Sequence, residues 1–117
     1  MARSEVKRGE IWLMDLGLVQ KVRPVVVLSV APLDRERALV SYVPRTTAAR
    51  RTRFEVPHAA RNFLPGVFDA QSIGTVPAVK LVRKLAVLES RILGLVEESV
   101  CRWLGLTAAG VPRRDDD

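Results

Sequence analysis

Short apolar segments rich in β-branched residues, separated by glycine, proline and charged turns, constrain the fold of this sequence most. The clearest of them, residues 22–30, contains five valines. Such a run predicts a strand buried on both faces, with Pro24 near its beginning or on an edge. Further strand candidates cover residues 10–16, 38–43, 52–56, 66–71 and 82–88. Strands this short and closely spaced predict a small SH3-like barrel rather than alternating strands and helices.

A helical pattern follows these strands near the end of the sequence. Its apolar positions recur at the spacing of one helix face: Ile92, Leu93, Val96, Val100, Trp103 and Leu104. Ser90 is the predicted N-cap and Gly105 the predicted C-terminal stop. We expect this helix to close one end of the barrel, and Cys101 to be a core residue within its apolar stripe. A short helical turn is predicted over residues 77–81, starting at a proline.

The length of 117 residues suits one domain, with a predicted core over residues 6–106 and a frayed tail over 107–117. Apolar residues make up 48% of the chain and charged residues 27%, which is typical of a packed globular protein. The sequence has no run of about 18 apolar residues and no apolar signal segment at its start. We therefore expect a cytoplasmic protein.

The formal net charge of +6 indicates a polyanionic partner, because the arginines are concentrated in the central part of the chain. The alternative is that the excess of arginine serves solubility alone. One histidine and one cysteine form no cluster with the spacing of metal ligands. Neither a metal nor another cofactor is therefore expected.

Arg23 is the first candidate site residue, because it stands at the beginning of the most apolar strand, where an unpaired guanidinium is costly to bury. Facing a cleft, it could bind a phosphate and stabilise a negatively charged transition state. The alternative is an ion pair at the strand end, for example with Asp15 or Glu10.

The second candidate is the segment 44–47, Pro-Arg-Thr-Thr, which follows the third predicted strand and begins a loop over residues 44–51. Its threonine hydroxyls, beside an arginine, could bind a phosphate or a ribose 2′-OH. Equally, threonines after a strand often bond their own backbone in a turn.

Four segments together resemble the MazF/PemK toxins: RGEIW at residues 8–12, RPVVVLS at 23–29, PRTT at 44–47 and RWLGL at 102–106. The match spans residues 6–106. The resemblance implies a barrel of the MazF/PemK/CcdB type and a sequence-specific, metal-independent endoribonuclease toxin. The ribose 2′-OH would attack the adjacent phosphorus, leaving a 2′,3′-cyclic phosphate and a 5′-OH.

The resemblance also assigns residues and partners. It implies that Arg23 and Thr46 are the catalytic pair, and that a single-stranded RNA substrate, a homodimer and an acidic antitoxin belong to the system. Predicted RNA-binding residues are Gln20, Lys21, Arg45, Thr47, Arg50, Arg51, Arg53 and Gln71. Gln71 could read a base edge or be an ordinary polar residue at a strand end.

This sequence departs from the family pattern at two places. The loop over residues 17–22 is short and lacks an acidic residue, and residues 71–75 lack an arginine-containing turn. These departures favour one alternative, a non-catalytic small barrel that binds nucleic acid or protein. A second alternative is a toxin of the same fold that acts on DNA gyrase, because relatives with that target share the barrel.

Overall fold

Seven strands and one long helix make up the part of the chain that the computed structural model describes, residues 6–15, 17 and 22–106. The strands are β1 (Glu10–Asp15), β2 (Val22–Val27), β3 (Leu39–Thr46), β4 (Glu55–Ala60), β5 (Phe63–Asp69), β6 (Gly74–Pro77) and β7 (Leu81–Val87). Short 3₁₀ turns at Ala70–Ser72 and Ala78–Lys80 flank β6, and helix α1 covers Ser90–Leu104. The predicted fold class, mainly β with a C-terminal helix, is confirmed.

The strands form an antiparallel sheet in the order β4-β5-β3-β2-β1-β7, with β6 paired to β3. Strand β3 has two successive neighbours on one side. Its first half, residues 39–42, pairs with β6, whereas Arg45 and Thr46 pair with β5. Because a strand that changes partner turns a corner between sheets, the whole closes into a half-barrel.

Apolar side chains are buried on both sides of β1 and β2. Val26 packs with Ile11 and Phe68 in a cluster that also includes Val96 and Val100 of α1. Val25 and Val27 belong to a second cluster on the other face, with Trp12 and Met14. All three of these valines are at most 1% exposed. The prediction that this strand is buried on both faces is confirmed, although β2 ends at Val27 rather than at residue 30.

Several predicted boundaries were wrong. Strand β3 continues to Thr46, so the predicted loop over 44–51 begins only after that residue. Pro44 lies between the part of β3 paired with β6 and the part paired with β5, where its missing N–H removes no ladder bond. Strand β4 begins at Glu55 rather than at residue 52, and β6 was not predicted.

Helix α1 begins at Ser90, and Glu89 occupies the N-cap position without a side-chain capping bond. The predicted N-cap at Ser90 was therefore wrong by one residue. The predicted stop at Gly105 is confirmed, with φ at 74° in the left-handed region that glycine accepts readily. Cys101 is exposed, contrary to the predicted core position, because the buried stripe of the helix runs through Val96, Ser99 and Val100.

A buried carboxylate ties the start of β1 to β7. Glu10 accepts hydrogen bonds from the backbone N–H of Lys7 at 2.8 Å and from Trp12 Nε1 at 3.0 Å, and its other oxygen lies 2.9 Å from Lys84 Nζ. Burial raises the pKa of Glu10, but the bonds from Trp12, Lys84 and Lys7 outweigh burial and hold the pKa below its usual value. The carboxylate is thus ionised and fully partnered in the folded state.

Replacing this carboxylate tests its contribution to stability. We expect Glu10→Gln to lower the free energy of unfolding at pH 7 by about 1–3 kcal/mol, because charged acceptors of buried N–H groups are lost. A lowered folded pKa stabilises the fold above the unfolded pKa of about 4.3, and this stabilisation disappears as the pH falls through the folded pKa. The difference between the variant and the parent should therefore narrow in urea denaturation between pH 7 and pH 3.

The exposed helix residue Glu98 provides the control. Glu98→Gln should change stability by less than about 0.5 kcal/mol at either pH. A difference between Glu10→Gln and the parent that stays constant over this pH range would contradict the assignment.

Candidate functional site

A polar cleft of about 440 Å³ opens where the ends of several elements meet. It is bordered by β2, the end of β3, the following loop, the facing ends of β4 and β5, the first 3₁₀ turn and the end of α1. Its lining consists of Arg23, Thr46, Ala48, Arg50, Thr52, Glu55, Asp69, Gln71, Ser72 and Trp103. Both predicted catalytic residues are among them.

The pairing of β2 with β3 explains how these two residues meet. Val25 is the antiparallel partner of Pro44. Continuing that register by two residues along each strand brings Arg23 opposite Thr46. Because side chains two positions apart on a strand share a face, both side chains point to the same side of the sheet.

Arg23 is half-buried and has no ion pair with any residue in the described part of the chain. The two predicted alternative partners have other contacts. Asp15 accepts a hydrogen bond from the backbone N–H of Gly17 at 2.8 Å, and Glu10 pairs with Lys84. The positive charge of Arg23 is therefore available to an anion in the cleft.

Thr46 is half-buried at the end of β3, and its Oγ1 accepts a hydrogen bond from the backbone N–H of Ala48 at 3.0 Å. The predicted turn bond is thus present. It uses an acceptor lone pair of the hydroxyl and leaves the O–H donor unused. The same side chain can therefore fix the beginning of the loop and donate a hydrogen bond to a phosphate oxygen.

Two carboxylates lie in the cleft, and the sequence predicts a role for neither. Glu55 and Asp69 are antiparallel partners across β4 and β5. Asp69 accepts from the backbone N–H of Gln71 at 3.1 Å and from Ser72 Oγ at 2.8 Å. Aspartate side chains often accept a hydrogen bond from the backbone two residues later and so favour turns. The sequence could therefore have predicted Asp69 as a turn residue.

The other predicted RNA-binding residues are placed differently. Arg50 and Gln71 line the cleft, whereas Thr47, Arg51 and Arg53 are exposed outside its lining. The guanidinium of Arg53 lies 4.6 Å from the ring centre of Phe54. Two further predicted residues, Gln20 and Lys21, lie outside the described residues.

Arg45 has its side chain inside the protein, which argues against the predicted RNA contact. Its Nε donates to Nδ1 of His58 at 2.8 Å, and its Nη2 donates to the carbonyl oxygens of His58, at 2.9 Å, and Leu64. The guanidinium also lies over the ring of Phe63. Because neighbouring residues on a strand face opposite sides, the orientation of Thr46 toward the cleft turns Arg45 away from it.

This buried pair has altered acid–base behaviour. Burial lowers the pKa of Arg45, and burial together with the positive charge of Arg45 lowers the pKa of His58. His58 is therefore neutral and accepts at Nδ1, so the pair serves the packing of β3 against β4.

Trp103 lines the cleft, although its sequence position predicts only a place in the helix pattern. It is 42% exposed, and its ring contacts Phe54 edge-on with 5.3 Å between ring centres. An exposed indole beside a cationic group can stack on a base. The sequence signal was a tryptophan in the last turn of an amphipathic helix, but helical spacing alone does not separate it from a core residue.

Two further observations concern the described residues as a set. No three side chains of His, Cys, Asp or Glu lie close enough together there to hold a metal ion. No helix in this part of the protein has the length and apolar character needed to span a membrane.

Comparison with solved structures agrees with this architecture. The chain is similar to the Mycobacterium tuberculosis toxin MazF-mt6, at 27% identity and a TM-score of 0.72 over 85% of this chain and 99% of that one. An endoribonuclease in complex with its cognate antitoxin, from a mycobacterial species, matches at 24% identity and a TM-score of 0.76, covering 88% and 98%. A MazE–MazF complex from Deinococcus radiodurans matches at 23% identity and a TM-score of 0.75, over 87% of this chain and 97% of that one.

The half-barrel with a C-terminal helix is thus the fold of MazF-like proteins. The sequence agrees, because residues 7–104 match the family model described as PemK-like, MazF-like toxin of type II toxin–antitoxin system. This chain belongs to that family.

Gly66 holds the strands close together next to the cleft, and its replacement tests this packing. A Cβ at Gly66 would lie 2.6 Å from the carbonyl oxygen of Thr46 and 3.0 Å from Nη1 of Arg45. We expect Gly66→Ala to lower the free energy of unfolding by about 1–3 kcal/mol, because β5 must move away from β3. Urea denaturation measures the change.

Gly94 is the matched control, since a Cβ there meets nothing within 4 Å. Gly94→Ala, within α1, should stabilise the protein by about 0.5–1 kcal/mol. Equal effects of the two substitutions would show that close strand packing at Gly66 is unimportant.

Proposed function

We propose that this protein is the toxin of a toxin–antitoxin pair and a sequence-specific, metal-independent endoribonuclease that cleaves single-stranded RNA. One observation carries the proposal: Arg23 and Thr46 line the same cleft. Within the described part of the chain, Arg23 has no ion pair, and the Thr46 hydroxyl accepts a hydrogen bond but donates none. Membership of the MazF/PemK family supports it.

In the proposed reaction, the ribose 2′-oxygen attacks the adjacent phosphorus while the bond from phosphorus to the 5′-oxygen breaks. The 2′-OH proton leaves to solvent and the 5′-oxygen takes one up, which leaves a 2′,3′-cyclic phosphate and a 5′-OH. Arg23 balances the negative charge on the phosphoryl oxygens, and Thr46 donates a hydrogen bond that orients the phosphate. A guanidinium keeps its proton in proteins, so an arginine is a poor general base.

The nucleophile belongs to the RNA, so the protein needs no metal-bound water to generate one. Around the reacting phosphate, Arg50 contacts the RNA backbone, Gln71 reads a base edge, and Trp103 stacks on a base. Additional backbone contacts are assigned to Gln20, Lys21, Thr47, Arg51 and Arg53.

The proposal includes partners and location. An acidic antitoxin segment would occupy the cleft by pairing with Arg23 and Arg50, in keeping with the net charge of +6 and with similar folds solved together with an antitoxin. We further propose a homodimer whose RNA groove crosses the interface, acting in the cytoplasm.

Removing either catalytic group should abolish cleavage. Purified protein incubated with a long single-stranded RNA in EDTA should yield discrete fragments with 2′,3′-cyclic phosphate ends. We expect Arg23→Ala and Thr46→Ala each to lower the cleavage rate by at least about 100-fold, the usual effect of losing one transition-state donor. Thr46→Ser, which keeps the hydroxyl, should retain most of the activity.

Arg37→Ala is the control, because it removes an equal charge from an exposed turn outside the cleft. RNA that stays intact while still bound would identify a non-catalytic nucleic-acid-binding barrel. Intact RNA together with inhibition of DNA gyrase would identify a toxin with that other target.

The stacking role of Trp103 has a separate test. Trp103→Ala should weaken binding of single-stranded RNA by about 5- to 150-fold, corresponding to about 1–3 kcal/mol for one stacked base. Trp103→Phe should bind more tightly than the alanine variant because it retains a ring. RNA should quench the fluorescence of the parent protein, in which Trp12 is buried, and not that of Trp103→Phe. Equal quenching in both proteins would contradict stacking.

A further inference from the structure

The loop over residues 47–54 forms one wall of the cleft, and the side chain of Glu55 binds three of its backbone N–H groups. The carboxylate of Glu55 accepts from the backbone N–H of Arg51 at 2.7 Å and of Thr52 at 3.3 Å. The N–H of Arg50 lies 3.0 and 3.1 Å from its two oxygens. Three consecutive N–H groups thus converge on one carboxylate at the first residue of β4.

Other bonds close the same loop. The N–H of Glu55 donates to the carbonyl oxygen of Thr52 at 3.2 Å, and the N–H of Phe54 donates to Oγ1 of Thr52 at 3.2 Å. Arg51 has φ at 61°, a left-handed conformation that is unfavourable for a residue with a side chain. The carboxylate therefore stabilises a backbone shape that is unfavourable at Arg51.

We infer that Glu55 is a positioning residue for RNA: its carboxylate fixes the loop so that Arg50 stays on the cleft wall, facing the RNA backbone. This inference rests on the proposed function, which supplies RNA as the ligand. The direction in which Glu55 changes RNA affinity is unexpected. A carboxylate in a cleft for a polyanion increases affinity, because the order it imposes on the loop outweighs its repulsion of phosphate.

Simple electrostatics predicts the opposite result. Glu55 and its cross-strand partner Asp69 place two negative charges in the cleft, and like charges opposite each other also disfavour strand pairing. If repulsion dominated, neutralising Glu55 would tighten RNA binding. If loop order dominates, neutralisation weakens binding, since charge-assisted bonds to three N–H groups are lost together.

The test compares Glu55→Gln with Glu36→Gln in the full chain. Glu36 is a matched control because it also accepts a backbone N–H in a turn, that of Leu33 at 2.8 Å, but does not line the cleft. The probe is a fluorescein-labelled single-stranded RNA of mixed sequence with 2′-O-methyl riboses, which cannot supply the attacking 2′-OH. Anisotropy titrations give the dissociation constant and the fraction of competent protein.

We expect Glu55→Gln to raise the dissociation constant about tenfold with an unchanged competent fraction, and Glu36→Gln to change neither. General unfolding would lower the competent fraction without moving the dissociation constant. Amide hydrogen exchange should also accelerate at Arg50, Arg51 and Thr52 in Glu55→Gln. Unchanged exchange at these amides, or binding as tight as that of the parent, overturns the inference.

A double-mutant cycle with Arg50→Ala identifies what Glu55 acts through. In the Arg50→Ala background, Glu55→Gln should raise the dissociation constant less than twofold. An undiminished tenfold effect in that background overturns the inference, because Glu55 would then act independently of Arg50. The proposed function fails by a different result: parent protein that leaves unmodified RNA intact, whatever the loop amides show.

Discussion

The register between β2 and β3 is the constraint on which the rest of this structure depends. Val25 opposite Pro44 places Arg23 across from Thr46, and a slip of one residue would turn one of the two side chains to the other face of the sheet. The register is firmly specified because β2 carries buried valines on both faces. Core packing and the site are therefore decided by the same strand pair.

The same alternation explains why adjacent arginine and threonine have opposite roles. Thr46 faces the cleft, so Arg45 faces the interior, where its donors are taken up by His58 and by a carbonyl oxygen of Leu64. Burying a guanidinium without a carboxylate is costly unless its N–H groups are partnered. The neutral imidazole and the carbonyl oxygens supply those partners, and they also fasten β3 to the β4–β5 pair.

Much of the fold could be predicted from the sequence, in the segments where the pattern of a strand or of a helix was clear. The β-branched run of β2 and the helix stop at Gly105 were predicted because burial on both faces and left-handed φ each demand particular residues. Two candidate residues, Arg23 and Thr46, were singled out, and the structure places them in one cleft. Their chemical roles remain a prediction.

The failures arose where tertiary contacts override local pattern. A proline ahead of two threonines suggested a loop at 44–47. Pro44 lies where β3 changes its partner from β6 to β5, and there its missing N–H removes no ladder hydrogen bond. Cys101 suited the helical stripe by spacing, yet the half-barrel covers only a narrower part of α1. Glu55 gave no signal at all, because its three N–H donors precede it in a loop whose shape the sequence does not specify.

The two carboxylates explain how a cleft suited to RNA can contain negative charge. Each carboxylate accepts hydrogen bonds from N–H or O–H groups of the adjacent loop or turn. The outer face of a loop that borders a ligand site must remain open to the ligand, so apolar burial fixes this loop only at its end, through Phe54. Internal hydrogen bonds to a charged acceptor order the middle of the loop, and a carboxylate can accept several of them at once. Acidic residues in this cleft are thus a consequence of building its walls from loops, and in the proposed RNA complex the position of Arg50 depends on Glu55.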